Sequence, residues 1–298
     1  MKKLIAVLFA FLLVCSFAGA EDSFLVECPN GAPALTVCAL KDNVQLVDPA
    51  TIAASFTREE ADFIIAPINA GAKLFKAGKS TYRLAAVVTW GNLVFASRIP
   101  DFSAEMINGH ELILFGENTI NASVALYVLQ EMGITPAAVS YLASAQETQR
   151  KVVEDADAIV MTAEPAATAA KMANADISTV SVSALFMQLT GSEGFAQAGL
   201  FVRARTLEDS REMVAGWLQE IKASADRWAE DPDTAAKDAV EMGIMAKEAI
   251  VLKAISNCGI HYVPTREAKE LVEKTAAIDL GQYGGSVPGD DFYYYGEE

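Results

Sequence analysis

The sequence predicts an α/β protein of about two domains, in which short buried strands alternate with amphipathic helices. Its 298 residues are enough for about two domains of ~100–200 residues each. With 52% hydrophobic and 21% charged residues, the composition is that of a folded chain with a sizeable core. The repeated order of strand, short turn and helix favours mostly parallel sheets joined by right-handed crossovers.

Eight apolar stretches have the length and the Val, Ile, Leu or Phe content of buried strands. Turn residues bound each of them, so we expect each to form a single strand. They are residues 24–28, 44–47, 62–66, 84–89, 93–97, 111–115, 157–161 and 177–180.

Helical patterns separate these strands in the first part of the chain. They cover residues 32–40, 68–76, 119–132 and 165–173. From about Leu207 the strand patterns stop, and long helices with one apolar face follow. These helices are residues 207–228, a segment that begins at Pro232, residues 242–256 and residues 265–276. The Gly- and Tyr-rich residues 281–298 predict an extended tail that covers the folded body.

The charge of the chain argues against two classes of partner. Asp and Glu number 39 against 23 for Lys and Arg, and the formal net charge is −16. Because no basic cluster is present, neither a nucleic-acid backbone nor an anionic membrane surface is expected to be the main partner. Glycine-rich phosphate loops and the Gly-x-Ser-x-Gly nucleophile motif are both missing from the sequence.

Histidine and cysteine are too few and too scattered to predict a metal site or a histidine-driven hydrolase. The chain has two histidines, His110 and His261, and no Cys-x-x-Cys pair. Its many carboxylates are spread along surface helices, and no two of them stand out as a catalytic pair. We therefore predict no catalytic residue, no metal ligand and no cofactor.

The first 20 residues have the pattern of a cleavable secretory signal peptide. Lys2 and Lys3 precede an apolar run over residues 4–15, and an Ala-x-Ala motif ends at Ala20. The run is shorter than the ~20 residues that a membrane span needs. Two alternatives stay open: a lipid anchor on Cys15, although the residue before it is not small, and an N-terminal core helix. Cleavage predicts an extracytoplasmic mature chain without a membrane span.

Three cysteines remain after such cleavage, which is an odd number. An oxidising compartment permits one disulfide among them and leaves one thiol over. The pair could be Cys38 with Cys258 or Cys28 with Cys38, and the sequence does not choose between them.

Small or polar residues stand at several points where a predicted strand passes into a predicted helix. In open α/β sheets ligands bind beyond the carboxyl ends of the strands. There, free backbone N–H groups and the positive end of a helix dipole can hold an anion without a basic side chain. The alternative is that these residues are ordinary helix caps. The junctions are residues 30–32, 68–71, 116–119 and 162–165.

Longer segments add a resemblance to a known family. They are residues 28–35, 61–67 with 73–75 and 78–79, 157–165, 197–203 and 283–294. Together they resemble the solute-binding proteins of ABC importers in the nitrate/sulfonate/taurine group, which includes the binders of thiamine-pyrimidine precursors. The resemblance runs along nearly all the chain after residue 20. Its most specific part is the Gly-Gly…Pro…Asp…Phe-Tyr-Tyr ending at residues 284–294.

This resemblance implies a type II periplasmic-binding-protein-like fold with two lobes that close on a ligand. Each lobe would hold a mixed, mostly parallel sheet flanked by helices. We expect lobe 1 at residues 21–97 and 203–298 and lobe 2 at residues 98–202, with crossings near 97–101 and 199–205. The implied function is that of a monomeric extracytoplasmic protein that delivers a small molecule to a membrane permease with a cytoplasmic ATPase.

Two sets of residues are expected in the cleft. Polar or small residues at the strand-to-helix junctions would offer backbone or side-chain donors to a small anionic or planar heteroaromatic ligand. They are Asn30, Gly31, Asn69, Asn118 and Thr119. Trp90, beside Gly91 at a strand end, would stack on a planar group, or else it is a buried core residue. Glu164 would accept hydrogen bonds from an amine or aminopyrimidine, or else it caps the following helix.

Two other functions fit parts of the sequence. One is an enzyme related to the thiamine-pyrimidine-precursor synthases, which share this fold. That chemistry uses histidine, and neither His110 nor His261 lies in a strand-to-helix loop. The other is a ligand-sensing module of a receptor, which the lack of a long apolar stretch after residue 20 disfavours.

Overall fold

Two separate mixed β-sheets organise residues 23–296, the part of the chain that the computed structural model describes. The predicted signal peptide at residues 1–20, with Cys15, lies outside these residues. The first sheet contains β1 (Val26–Pro29), β2 (Val44–Val47), β3 (Phe63–Pro67), β4 (Arg83–Trp90), β10 (Ala196–Val202) and β11 (Ile260–Pro264). The second contains β5 (Leu93–Ser97), β6 (Glu111–Phe115), β7 (Ala138–Leu142), β8 (Ile159–Ala163) and β9 (Ser178–Ser181).

Helices connect these strands and flank both sheets. They are α1 (Ala32–Leu35), α2 (Ile52–Arg58), α3 (Ile68–Lys76), α4 (Ile120–Glu131), α5 (Ala145–Glu154), α6 (Ala166–Ala173), α7 (Val182–Thr190), α8 (Ala204–Asp209), α9 (Arg211–Glu230), α10 (Pro232–Glu241), α11 (Glu248–Ala254) and α12 (Thr265–Ala276). Between residues 23 and 296, none of the helices is both long and apolar enough to cross a membrane.

Both sheets repeat one strand order. In the first sheet β2, β1 and β3 are parallel neighbours, followed by antiparallel β10 and then β4. In the second sheet β7, β6 and β8 are parallel neighbours, followed by antiparallel β5 and then β9. In each sheet the antiparallel strand is the first strand that the chain forms after it crosses from the other sheet. This strand is β10 in the first sheet and β5 in the second. This arrangement confirms the predicted fold class of two mixed, mostly parallel sheets flanked by helices.

The chain crosses between the sheets at two places. It leaves β4 of the first sheet and enters β5 of the second through Gly91 and Asn92 alone. It returns over residues 191–195, between the end of α7 and the start of β10. The two halves are therefore joined by short connections that lie side by side, because Gly91 N donates to the carbonyl of Phe195 at 3.2 Å.

The strand pairing corrects the predicted lobe boundaries at two strands. Residues 21–97 were expected to belong to lobe 1, but β5 pairs with β8 and β9 of the second sheet. Residues 98–202 were expected to belong to lobe 2, but β10 pairs with β3 and β4 of the first sheet. Each crossing thus comes before the antiparallel strand rather than after it. Every residue of both strands is buried, so hydrophobicity gives no sign of which sheet either strand joins.

All eight predicted strands are present, with ends within two residues of the expected ones. The predictions for α3 and α12 match in full. The prediction at residues 32–40 is wrong in part, since that stretch divides into α1 and a 3-10 turn, and the predicted helix 207–228 divides into α8 and α9 at Ser210. The predicted set of elements lacked β7, β11, α2, α5 and α7, and β10 falls in the segment 197–203 that only the family resemblance marked.

The C-terminal tail covers the first sheet, as the sequence predicts. Tyr294 N donates to the carbonyl of Leu84 on β4 at 2.7 Å, and the Phe292 ring packs against Phe201 of β10 at 5.9 Å between centroids. The tail is less extended than expected, because two 3-10 turns interrupt it. They are Leu280–Tyr283 and Asp290–Phe292.

Neither predicted disulfide is formed. Cys28, Cys38 and Cys258 are all buried free thiols. Cys38 Sγ lies 3.7 Å from the carbonyl oxygen of Ala235, and Cys258 Sγ lies 3.4 Å from that of Ala254, so each thiol has its own backbone acceptor. Burial raises the pKa of all three, that of Cys38 to about 12, and keeps them as unreactive thiols.

A hydrogen-bonded carboxylate beside β3 ties together the two strands that flank β3 in the first sheet. Asp62, just before β3, accepts from Leu25 N at 3.1 Å, from the Arg203 guanidinium at 3.0 Å and from the Thr206 hydroxyl at 2.9 Å. These partners precede β1 and follow β10. The carboxylate therefore links the start of the chain to the strand that returns from the second sheet.

We expect Asp62→Ala to lower the free energy of unfolding by about 2–3 kcal/mol, because it removes the charged acceptor of Arg203 Nη2 and leaves the Leu25 N–H without its acceptor. Asp209→Ala is the control, since it breaks an exposed ion pair with Arg205, and it should cost less than about 1 kcal/mol. Urea unfolding measures both. Equal effects of the two substitutions would contradict this role of Asp62.

Candidate ligand-binding cleft

A cavity of about 700 Å³ lies where the carboxyl ends of strands from both sheets meet. The turns after β1, β2 and β3 supply one wall, and the turns after β6, β7 and β8 supply the other. This is the edge of an open α/β sheet at which ligands bind. Its lining residues fall mainly in segments 29–33, 49–53, 67–74, 115–121, 141–146 and 163–166, with contributions from Asn92, Gln197, Ala198 and Met245.

The structure brings six of the eight predicted site residues to this one cavity. They share a position in a strand-to-helix turn, and they come from four turns in the two halves of the chain. They are Asn30, Gly31, Asn69, Asn118, Thr119 and Glu164. That any of them contacts a ligand stays a prediction.

The turn between β6 and α4 depends on backbone conformations that few residues adopt. Gly116 has φ of 73°, and a Cβ there would lie 2.6 Å from the Thr119 hydroxyl. Asn118 has φ of 59°, a left-handed conformation that asparagine tolerates better than most residues. These conformations make the turn tight, and the tight turn brings Asn118 and Thr119 to the cavity wall.

Several predicted donors are already used within the protein. The Thr119 hydroxyl and the Thr119 N–H both donate to the carbonyl of Gly116, at 2.6 and 3.0 Å. Asn30 Nδ2 donates to the carbonyl of Gly243 at 3.4 Å. The Thr119 hydroxyl and one of the two N–H groups of the Asn30 amide are therefore engaged within the protein. That these residues offer donors to a ligand stays a prediction.

Trp90 does not line the cavity. It is the last residue of β4, where its indole N–H donates to the carbonyl of His261 at 2.9 Å and its backbone N–H donates to that of Gly259 at 2.8 Å. The loop before β11 and that strand thus hold the ring away from the cleft. Trp90 is half-buried and packs against the core, which is closer to the alternative of a buried core residue than to a ligand-stacking ring. His261 and His110 also lie outside the cavity lining.

Gly91 lies at the crossing rather than in the cleft. A Cβ at this position would be 2.5 Å from the Ser183 hydroxyl and 2.7 Å from the Phe195 ring, so only glycine fits without a shift of its neighbours. Gly91 borders a smaller cavity of about 460 Å³ that shares Asn92 and Glu164 with the main one. Its contribution is therefore to let the chain cross between the sheets.

Asn92 is the lining residue that joins the two halves, and the sequence analysis missed it. Its backbone N–H donates to the Gln197 side-chain oxygen of β10 at 3.2 Å. Its side-chain nitrogen donates to the carbonyl of Glu164 at 3.4 Å, and Glu164 N donates back to the Asn92 carbonyl at 3.0 Å. A Gly-Asn pair between two mostly apolar strands was the signal that could have revealed it.

Two aromatic residues on the second half replace Trp90 as planar lining groups. Phe115 ends β6 and Tyr141 lies one residue before the end of β7, on neighbouring parallel strands. Both are half-buried. Burial raises the pKa of Tyr141, and the negative charge of Glu117 raises it further, so its hydroxyl stays protonated at neutral pH. The cavity can therefore offer aromatic surface to a planar ligand.

Glu164 is the buried acid of the site. Its side chain is 7% exposed, and its Oε2 accepts a hydrogen bond from Thr168 N at 2.9 Å, so it caps the first turn of α6. Burial raises the pKa of this carboxyl, while the bond from Thr168 and the charge of Lys171 oppose the rise. Capping does not exclude ligand contact, because Glu164 also lines the cavity.

Other charges near the cavity are sparse. Lys73 is the one basic residue among the described residues that line it, and it is exposed, as is Glu117. Within residues 23–296, no three or more His, Cys, Asp or Glu side chains cluster in a way that could hold a metal ion. The electrostatics of the cleft therefore depend mainly on Glu164 and on backbone and amide dipoles.

Four asparagines that line the cavity have a side-chain oxygen without a hydrogen-bond partner in the described structure. They are Asn30, Asn69, Asn92 and Asn121. Asn69 and Asn92 are only 3% and 4% exposed. An unpaired buried acceptor costs about 1–3 kcal/mol. The four oxygen atoms are themselves buried, so they do not face the open part of the cavity.

Solved structures with the same fold include an ABC transporter protein and two sulfonate-binding proteins. An ABC transporter protein from Parabacteroides distasonis is 20% identical, with a TM-score of 0.77, and the match covers 92% of this chain and 99% of that one. The periplasmic aliphatic sulphonate binding protein of Escherichia coli is 10% identical, with a TM-score of 0.72 and 94% of each chain covered. The alkanesulfonate-binding protein of Xanthomonas axonopodis, bound to MOPS, is 13% identical, with a TM-score of 0.67 and coverage of 91% and 96%.

These likenesses define the fold of the chain. It is the two-lobed periplasmic-binding-protein-like fold, and the chain is similar in structure to the substrate-binding proteins of ABC importers, as the sequence resemblance predicts. No protein-family profile matches this sequence, and neither does any curated protein.

We expect Glu164→Gln to raise the stability of the unliganded protein at neutral pH. Because the pKa of Glu164 is raised in the folded state, the wild type is favoured while the carboxyl is protonated and loses that advantage as pH rises through the raised pKa. Glutamine does not titrate and can still accept from Thr168. The gain over wild type should therefore be small at about pH 4 and larger at about pH 7 in urea unfolding.

Glu131→Gln is the control for this prediction, because Glu131 is exposed at the end of α4 and its substitution reports the effect of removing one surface charge. A gain for Glu164→Gln that matches the control at both pH values would contradict a buried, destabilised carboxyl.

Proposed function

We propose that this protein is the extracytoplasmic solute-binding component of an ABC importer. It captures a small molecule between its two halves and delivers it to a membrane permease with a cytoplasmic ATPase. The observation that carries the proposal is the cavity itself, whose walls come from equivalent strand-to-helix turns of two sheets with the same strand order. A ligand that contacts both walls favours the closed arrangement by its extra contacts there.

The proposed location rests on two observations. Residues 1–20 have the pattern of a cleavable signal peptide, and the structural neighbours from Escherichia coli and Parabacteroides distasonis are a periplasmic and an ABC-transporter protein. The strongly acidic composition is compatible with a monomer that diffuses between its ligand and its permease.

Binding without turnover fits the side chains of the cleft better than catalysis does. Glu164 has no second acidic or histidine side chain among the described lining residues other than the exposed Glu117. General acid–base catalysis by a pair of side chains would need both of them within hydrogen-bond reach of the reacting atoms. We therefore propose capture and release, and we do not propose a reaction.

A bulky side chain at the mouth of the cavity should abolish binding without unfolding the protein. Ala143 is exposed, follows β7 and lines the cavity, so Ala143→Trp should fill part of it. Ala137, exposed before the other end of β7, gives the matched control Ala137→Trp.

A thermal-shift screen of nitrate, sulfonates, aromatic acids and aminated heterocycles identifies binders, since a ligand at 100 times its Kd adds about 2.7 kcal/mol to the stability of the folded protein.

We expect every binder to lose at least about 10-fold in affinity for Ala143→Trp and to keep its wild-type affinity for Ala137→Trp, as measured by calorimetry. Equal affinity of the two variants would place the binding site elsewhere. Co-purification of the wild-type protein with a permease and an ATPase tests the transport part of the proposal, and turnover of any binder by the pure protein would contradict it.

A further inference from the structure

The segment that leads from α12 into the C-terminal tail contacts the second half of the molecule. This segment, residues 277–283, is called the tail junction below. Ser123 lies in the first turn of α4, and its hydroxyl donates to Asp279 Oδ2 at 2.7 Å. The hydrogen bond therefore joins the two halves at a point away from the crossing at Gly91 and Asn92.

The tail junction is fixed to the first half on both sides of Asp279. Asp279 N donates to the carbonyl of Ala276 at the end of α12, and Asp279 Oδ1 accepts from Gln282 N at 3.3 Å. Tyr283 is fully buried, and the 3-10 turn that it ends packs against α3. Asp279 thus holds its own turn with one carboxylate oxygen and presents the other to α4.

The Ser123–Asp279 bond lies outside the ligand cavity. Helices α3 and α4 begin at opposite walls of the cavity, where Asn69 and Asn121 line it. Neither Ser123 nor Asp279 is among the described lining residues. A substitution at either position therefore acts on binding through the arrangement of the two halves.

Both partners can lose this bond without being left unpaired. The Ser123 hydroxyl also lies 3.4 Å from the carbonyl of Thr119, one turn earlier, and can donate there instead. Ser123 and Asp279 are half-buried, so water reaches the freed carboxylate when the halves part. The bond thus favours contact between the halves by a modest amount, and opening remains possible.

Building on the proposed function, we propose that the tail junction is a latch. The Ser123–Asp279 bond keeps part of the ligand-free protein closed, with both cavity walls in position for a ligand. Because the apparent affinity is the intrinsic affinity multiplied by the fraction of binding-competent molecules, the latch raises the affinity for every cleft ligand by the same factor. Ser123 and Asp279 are then positioning residues for ligand capture.

The distance between α3 and α4 in the ligand-free protein tests the latch without any ligand. Spin labels on cysteines introduced at Lys79, just after α3, and Gln130, near the end of α4, report this distance, because both positions are exposed. The native cysteines are buried. We expect Ser123→Ala to shift the distance distribution to longer values. Ser123→Thr, which keeps a hydroxyl, should restore it.

Ser140→Ala is the matched control. Ser140 Oγ donates to Glu111 Oε1 at the same distance of 2.7 Å, but both residues belong to the second half, on the neighbouring strands β7 and β6. Its distance distribution should equal that of wild type. Alanine favours helices, so Ser123→Ala should fold. Identical ligand-free distributions for wild type and Ser123→Ala would overturn the latch.

Affinity gives the second readout. For each of nitrate, ethanesulfonate, benzoate and 2-aminopyridine that binds wild type, we expect Ser123→Ala to raise Kd by about 3- to 10-fold, with one factor for all of them. Adding Ser123→Ala to Asp279→Ala should raise Kd no further, since either change removes the same bond. A loss confined to one compound would indicate direct contact and would also overturn the latch.

These outcomes are distinct from those of the proposed function. A compound that loses affinity for Ala143→Trp but keeps its wild-type affinity for Ser123→Ala supports the cleft and overturns the latch. Longer ligand-free distances in Ser123→Ala, together with equal affinity of every binder for Ala143→Trp and Ala137→Trp, support the bond between the halves and overturn the cleft assignment.

Discussion

The short crossing at Gly91 and Asn92 is the constraint on which the rest of the molecule depends. No side chain fits at Gly91, because two residues occupy the space that a Cβ would need. They are Ser183, in the first turn of α7, and Phe195, in the second crossing. Asn92, the next residue of the crossing, is hydrogen-bonded to Gln197 of the first sheet and to Glu164, which follows β8 of the second. The two sheets are therefore held together at this point, and the cavity forms beside it, where their strand ends converge.

Much of the fold could be predicted from the sequence, because short buried strands and long amphipathic helices leave strong local patterns. All eight expected strands exist, and six of eight expected site residues reach one cavity. Sheet membership could not be predicted in the same way. β5 and β10 are buried along their whole length, and only pairing across the sheet decides where they lie. Trp90 was predicted to lie in the cleft because it stands at the end of a strand. That position in the sequence does not reveal that β11 binds its indole.

The site also required the structure because its chemistry is non-local. Asn30, Asn69, Asn92 and Asn121 are ordinary polar residues in the sequence, and each becomes an unpaired acceptor only when its surroundings are known. The net charge of −16 describes the exposed surface and says nothing of this. Burial of Glu164 and the half-exposed Phe115 and Tyr141 are likewise properties of the folded chain.

The most direct test of the account is the distance between the two halves of the protein with and without ligand. Spin labels on cysteines introduced at Thr57 of α2 and Arg150 of α5 would report it, since both positions are exposed and their helices start at opposite walls of the cavity. The three native cysteines are buried and resist labelling. We predict that the compound giving the largest thermal shift shortens the mean distance, and that Ala143→Trp prevents the change. An unchanged distance at saturating ligand would contradict capture between the two halves.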